Sequence, residues 1–212
     1  MNQKLILKRV EQFVKNKMAG EGTGHDFYHI ERVRKLALII AKKEKANIFI
    51  VELGALLHDI ADWKFNADPL AGSKISTDLL KSLGVDNEII LQICHIIENI
   101  SYKGGAVSSK MKTIEGKIVQ DADRLDALGA IGIARAFAYG GYKKREIYNP
   151  KIKPVKHKTF ESYRNSKGTS INHFYEKLLL IKDLMNTNSA RKIAQKRHKF
   201  IEGFLKEFFA EW

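Results

Sequence analysis

Apolar residues recur along this chain at three- and four-residue intervals for almost its whole length, and no stretch alternates with the two-residue period of a strand. Leu5, Ile6, Val10, Phe13, Val14 and Met18, with basic residues between them, predict an opening amphipathic helix over 4–18. It stops at Gly20-Glu21-Gly22-Thr23-Gly24, a stretch that serves either as a plain helix stop or as backbone brought close to a site. Val33, Leu36, Ala37, Ile40 and Ala41 mark a second helix. Residues 48–57 (Ile48, Phe49, Ile50, Val51, Leu53, Ala55, Leu56, Leu57) are apolar almost all round, the pattern of a helix buried among others. A helix through Ile75, Leu79, Leu80 and Leu83 ends at Gly84, and Asp86 is placed to cap the next, which carries Ile89, Ile90, Ile93, Ile96 and Ile97. One long helix is expected at roughly 113–139 and two closing helices at roughly 169–187 and 189–211. The fold class is therefore all-α, a single-domain helical bundle over residues 1–212.

The polar residues inside this pattern carry the chemistry. The apolar run at 48–57 leads directly into His58 and Asp59, with Asp62 one turn further on. A desolvated, unpaired carboxylate costs several kcal/mol, so a compensating charge is needed there, and a divalent cation would supply it. His29 stands one turn before Val33, on the buried side of its helix, either as an ordinary interior histidine or as a further ligand. His25 and His29 reproduce the spacing of the zinc-peptidase helix, but Asp26 stands where that motif requires Glu. His95 and Glu98, three apart, either reach a site or belong to the interior. Asp121, Asp123 and Asp126 interrupt an otherwise small and apolar helix, where buried carboxylates are expensive. Asp121 and Asp123 point about 200° apart, so one ion cannot easily use both. Ser101 to Lys112, with Lys103, reads as a loop, and Gly141 to Gly168 as a long basic one, either a lid over an anion or a solvated insertion.

Composition narrows the setting. At 212 residues the chain can bury a full core without disulfides, and its single cysteine, Cys94, fits a reducing interior. No apolar run approaches the roughly 18 residues of a membrane span, and the first residues lack a signal-peptide pattern, so a cytoplasmic protein that engages no membrane is expected. A formal charge of +13 favours anionic partners. It does not choose among nucleotides, nucleic acid and acidic surfaces.

His29, His58-Asp59 and Asp123, in that order and on different apolar helices, resemble the H…HD…D signature of the HD-domain metal-dependent phosphohydrolases. The blocks Gly24-His25-Asp26 to Arg32-Val33, Val119 to Asp126 and Ile171 to Leu178 extend the resemblance to small stand-alone bacterial members over nearly the whole chain. It implies His29, His58, Asp59 and Asp123 as ligands of one divalent ion. Asp121 is the fallback for the fourth place, and Asp121 and Asp126 otherwise support the ligands. Two imidazoles and two carboxylates without a thiolate suit Mn²⁺ best, with Mg²⁺, Fe²⁺, Ni²⁺ or Co²⁺ as alternatives, and disfavour a structural zinc. Asp62 stands where many relatives have Glu and is assigned to orient or deprotonate the attacking water, with Lys64 beside it. His25, His95, Lys103 and Arg124 are assigned to the anionic substrate. The implied reaction is conversion of a nucleoside or deoxynucleoside triphosphate to the monophosphate and pyrophosphate. Phosphodiesterase, nuclease or alarmone hydrolase action share the same residues, and a non-catalytic nucleotide- or nucleic-acid-binding module is the rival from another class. Nucleic acid is the less favoured partner. Base selectivity and oligomeric state leave no mark in the sequence.

Overall fold

The computed structural model describes residues 2–19, 26–60, 68, 70–101, 111–155 and 168–212, and every regular element among them is helical. In chain order these are α1 (Gln3–Lys17), α2 (Phe27–Glu44), α3 (Ile48–Leu57), α4 (Ala71–Ser82), α5 (Asn87–Asn99), α6 (Ile114–Asp126), α7 (Gly129–Tyr142) and α8 (Ser170–His173). A π-helical turn (Phe174–Leu178), α9 (Leu179–Ile181), a 3₁₀ turn (Lys182–Leu184) and α10 (Asn188–Glu211) follow. Among the described residues no helix is long and apolar enough to cross a membrane. The chain forms two compact units; the first contains α1 to α5 and α6 up to Ala122, the second begins at Asp123.

The first unit is assembled round α3, which packs against α1, α2 and α5. Asn47 starts it, its side-chain oxygen accepting from the backbone N–H groups of Phe49 and Ile50 at 3.1 and 3.4 Å. From Phe49 to Leu57 every residue except the half-buried Glu52 is buried, as the composition of the helix predicts. Its one charged residue, Glu52, faces Arg34 of α2, whose Nε donates to Glu52 at 2.9 Å while Nη1 donates to Glu11 of α1 at 2.8 Å. Burial alone would lower the Arg34 pKa, but the hydrogen bonds to both carboxylates hold it above its ordinary value. At Gly54 the absent side chain matters: a Cβ there would lie 3.1 Å from Ile96 Cδ1 of α5 and 3.3 Å from Val119 Cγ2 of α6. Buried Gln120 closes the seam by donating to the carbonyls of Asn99 and Ile100 at 3.0 and 3.4 Å.

In the second unit the helix expected over 113–139 is two helices, broken at Ala127-Leu128. Gly129 takes φ +74°, a left-handed conformation that costs glycine nothing, and a Cβ on Gly132 would lie 2.2 Å from the Ala127 carbonyl oxygen. Gly129 and Gly132, which fall inside the single helix expected over 113–139, are therefore what lets the chain turn. At the end of α6 the buried Leu125 carbonyl accepts both from the Leu128 N–H at 3.0 Å and from Arg197 Nη1. Helix α10 packs on α7, and Phe137, Phe174 and Phe204 meet at centroid distances of 5.6 to 5.9 Å. The helix expected over 169–187 is likewise irregular, since its register widens into the π turn before α9.

The basic stretch expected as a loop over 141–168 begins with the last turn of α7 and continues to Val155 without regular structure. Yet its backbone is tied down: the N–H groups of Ser170 and Ile171 donate to the carbonyls of Glu146 and Ile147 at 2.9 and 3.0 Å. Asn172 Nδ2 donates to the Ile152 carbonyl at 2.9 Å, and Val155 N–H donates to the buried Glu176 carboxylate at 3.0 Å. Residues 156–167 lie outside the described residues.

Gly54→Val should lower stability by about 1 to 3 kcal/mol through overpacking against Ile96 and Val119. Urea unfolding would show this as a lower midpoint at constant slope; an unchanged midpoint would mean that α5 and α6 do not approach α3 this closely.

Candidate metal centre

Helix α2 delivers its histidine in the first turn. Asp26 is the N-cap, and its Oδ1 accepts from the His29 N–H at 2.8 Å, so the residue that spoils the zinc-peptidase spacing fixes where His29 starts. The His29 side chain is completely buried. Helix α3 delivers the second imidazole at its own C-cap, where His58 is 4% exposed and its Nδ1 lies 2.8 Å from the Ala55 carbonyl oxygen. A carbonyl can only accept, so Nδ1 carries the proton and Nε2 presents a lone pair. That Nε2 lies 3.3 Å from Nε2 of His29, and His29 Nε2 lies 3.7 Å from Oδ2 of Asp59. The two rings cross edge to face, with centroids 5.3 Å apart.

One donor atom from each of His29, His58 and Asp59 falls within 4.8 Å of the other two. Adjacent corners of an octahedron with bonds of about 2.1 Å lie about 3.0 Å apart and opposite corners about 4.2 Å, so the observed separations are those of ligands converging on one ion. The helix end adds a second argument. Helix α3 has no basic residue in its last turn, so its partial negative charge and the Asp59 carboxylate meet at one place inside the protein. Two imidazole nitrogens and a carboxylate oxygen, with no sulfur, fit a hard or borderline divalent cation.

Three of the four ligands expected from sequence are thus brought together. Asp123, partly buried, opens the second unit, whereas Asp121 is fully buried at the end of the first. Asp126 is buried with Arg135 Nη1 at 2.8 Å, and its charge counters the lowering of the Arg197 pKa by burial. Arg124 donates through Nη1 to the Leu184 carbonyl. His25, Asp62, Lys64 and Lys103 lie outside the described residues.

His95 has a defined tautomer. Asn99 Nδ2 lies 2.9 Å from the His95 carbonyl, which identifies that atom as a donor, and the same Nδ2 faces His95 Nδ1 at 3.3 Å. The ring proton therefore sits on Nε2, which is buried and has no hydrogen-bond partner among the described residues. Glu98, its neighbour in the sequence motif, instead accepts from Ser73 at 2.7 Å. The functional group that sequence reading misses is the Ala55 carbonyl, which orients His58. No residue identity signals it; only the position of a histidine at a helix C-cap could have.

Residues 26–128 match the family model for the HD domain. The chain is 39% identical to the protein YpgQ of Bacillus subtilis over 95% of this chain and 92% of that one. Its structure superposes on a crystal structure from Lactobacillus plantarum with a TM-score of 0.89 and 39% identity, covering 100% of this chain and 99% of the other. It superposes on an HD-superfamily hydrolase from Bacillus thuringiensis with a TM-score of 0.77 and 45% identity, covering 100% and 98%. YpgQ in complex with ADP superposes with a TM-score of 0.78, covering 100% and 97%.

Removing one ligand should empty the centre. Wild-type protein is expected to take up about one equivalent of a divalent cation, with Mn²⁺ as the probe, and Asp59→Ala and His58→Ala are each expected to abolish that uptake, read by metal analysis after dialysis, with helical content by circular dichroism unchanged. Retained Mn²⁺ in both variants would rule out this triad as the metal centre.

Proposed function

Because the chain belongs to the HD superfamily of metal-dependent phosphohydrolases, we propose that it acts on nucleotides, hydrolysing a nucleoside or deoxynucleoside triphosphate to the monophosphate and pyrophosphate. The observation that carries the nucleotide reading is the ADP bound by YpgQ, a relative that this chain matches over nearly its full length. Two features of the chain support it: a formal charge of +13, which concentrates anions near the surface, and the buried, protonated Nε2 of His95, which an acceptor oxygen on a ligand would satisfy.

In this reading His29, His58 and Asp59, with Asp123 as the fourth ligand, hold one divalent ion, Mn²⁺ before Mg²⁺, Fe²⁺, Ni²⁺ or Co²⁺. Such an ion polarises a phosphoryl oxygen and makes water a competent nucleophile at neutral pH. The Ala55 carbonyl keeps the His58 ring in the tautomer and direction that ligation requires. Asp62 accepts the proton that the attacking water loses. The water oxygen bonds to the α-phosphorus, and the bond from that phosphorus to the bridging oxygen breaks. The electron pair leaves with pyrophosphate. Lys64, Lys103, His25, His95 and Arg124 neutralise and orient the phosphates, and Asp121 and Asp126 steady the helix that carries Asp123. The whole chain serves as one functional domain, working in the cytoplasm.

A release screen over the eight common NTPs and dNTPs with Mn²⁺ or Mg²⁺ tests the reaction. Pyrophosphate should appear with the wild type and be absent with His58→Ala or with EDTA; inorganic phosphate instead, or no product from metal-loaded protein, would refute it.

Asp62→Asn separates proton transfer from metal holding. It should keep the ion and lower kcat by roughly 10²-fold or more, the scale of a general base. Loss of the ion in Asp62→Asn would instead make Asp62 a ligand.

A further inference from the structure

The segment from Tyr139 to Val155 carries Lys143, Lys144, Arg145, Lys151 and Lys153 against one acid, Glu146, which itself accepts from Asn149 Nδ2 at 2.9 Å. The four lysines are exposed. Aromatic rings are interleaved with them. Lys143 Nζ lies 5.2 Å from the Tyr142 ring centroid and 5.7 Å from that of Tyr139, and the Arg145 guanidinium lies 6.0 Å from Tyr139. Tyr142 is 57% exposed. Further along, Tyr148 packs edge-on against Trp212 at 5.2 Å; the indole stacks one face on Phe208 at 5.6 Å and is 64% exposed.

We infer that this surface binds single-stranded nucleic acid, with Lys143, Lys151 and Lys153 on phosphates and Tyr142 and Trp212 as stacking platforms for bases. Cations alternating with exposed rings are the combination that holds an unpaired strand without regard to sequence. Each ring is braced by a cation or another ring and keeps much of its area open, so stacking costs little further ordering. The backbone is braced as well. The bonds from Ser170, Ile171 and Asn172 and the one to Glu176 hold an irregular segment in one shape, so its charges are presented together and not averaged over a flexible loop.

A duplex is a poorer occupant, because its bases are already stacked and beyond the last turn of α7 the segment is irregular, with no helix or ribbon to enter a groove. An anionic membrane is also poorer. Interfacial insertion needs a continuous apolar face on a helix, and here Lys143, Lys144 and Lys151 stand on turns and Lys153 on irregular backbone. The inference holds whichever substrate the metal centre takes.

Fluorescence anisotropy of labelled rU12 and dT12 against the full chain, titrated between about 50 and 300 mM salt, reads the binding. Each phosphate contact contributes about −0.7 to the log–log slope, so Lys143→Gln, Lys151→Gln and Lys153→Gln combined should make the slope shallower by about 2. Tyr142→Ala and Trp212→Ala should each weaken binding about 5- to 100-fold and leave the slope unchanged, while Tyr142→Phe binds like the wild type. All these positions are exposed, and equal melting temperatures would exclude misfolding. Tighter binding of rU12 than dT12 would assign RNA; equal binding would assign either strand. The inference is overturned by absence of binding at tens of micromolar protein in 50 mM salt, by lysine and ring variants that bind like the wild type, by equal affinity for a 12-base-pair duplex, or by capture on phosphatidylserine vesicles without capture of the oligonucleotides.

Discussion

A helix that is apolar on every side and ends, still inside the protein, on His58 and Asp59 sets the terms for the first unit. Its ten residues bring no charge except Glu52, and that carboxylate is neutralised by Arg34. At the other end no lysine or arginine occupies the last turn. The helix end and Asp59 together present negative charge beside two imidazoles, one of which is fixed as a lone-pair donor by the Ala55 carbonyl. Without a cation this arrangement would bury electrostatic cost, and with one the same atoms become ligands. Stability of the helix and function of the site thus meet in one requirement.

Close approach of helices is the second condition, and glycine meets it differently in the two units. Gly54 lets Ile96 and Val119 press directly against α3, which brings α5 and α6 in beside the helix that carries His58. Gly129 and Gly132 permit the chain to leave α6 and start α7 within two residues, with Arg197 packed on Gly129 and donating to the Leu125 carbonyl. The same residue type therefore serves packing in one place and a change of direction in the other.

That difference explains what could be read from the sequence. The bounds of α3 follow directly from its unbroken apolar run, and His29 is buried as its position one turn before Val33 requires. The break after Asp126 was invisible, because Ala127, Gly129, Ala130 and Gly132 suit tight helix packing as well as they suit a turn; only the positive φ of Gly129 decides. The π turn at Phe174–Leu178 was hidden for a related reason, since its apolar spacing still satisfies a helical pattern. Residues 143–155 read as lid or floppy insertion because composition registers lysines and prolines, whereas their fixity comes from backbone bonds to Ser170 and Ile171 and from the side chains of Asn172 and Glu176. In the candidate site, residue types and spacing marked His58 and Asp59, whereas His29 was singled out as a ligand only by the family resemblance. The site's orientation rests on a carbonyl, which every residue possesses and no sequence motif can mark.

The formal charge of +13 is not spread evenly along the chain. Several acids are spent inside: Glu52 on Arg34, Asp126 on Arg135, and Glu176 on the Val155 N–H, while Asp121 is fully buried. The lysines of the 143–153 stretch remain at the surface. Glu52 and Asp126 each cancel an arginine, so the formal +13 stands, and part of it is displayed together on the 143–153 stretch. Such a field raises the local concentration of any polyphosphate before contact, and it does so equally for a nucleotide and for a strand. Discrimination between them must then come from short-range features: a buried donor such as His95 Nε2 for a small ligand, and open rings such as Tyr142 and Trp212 for a chain of bases.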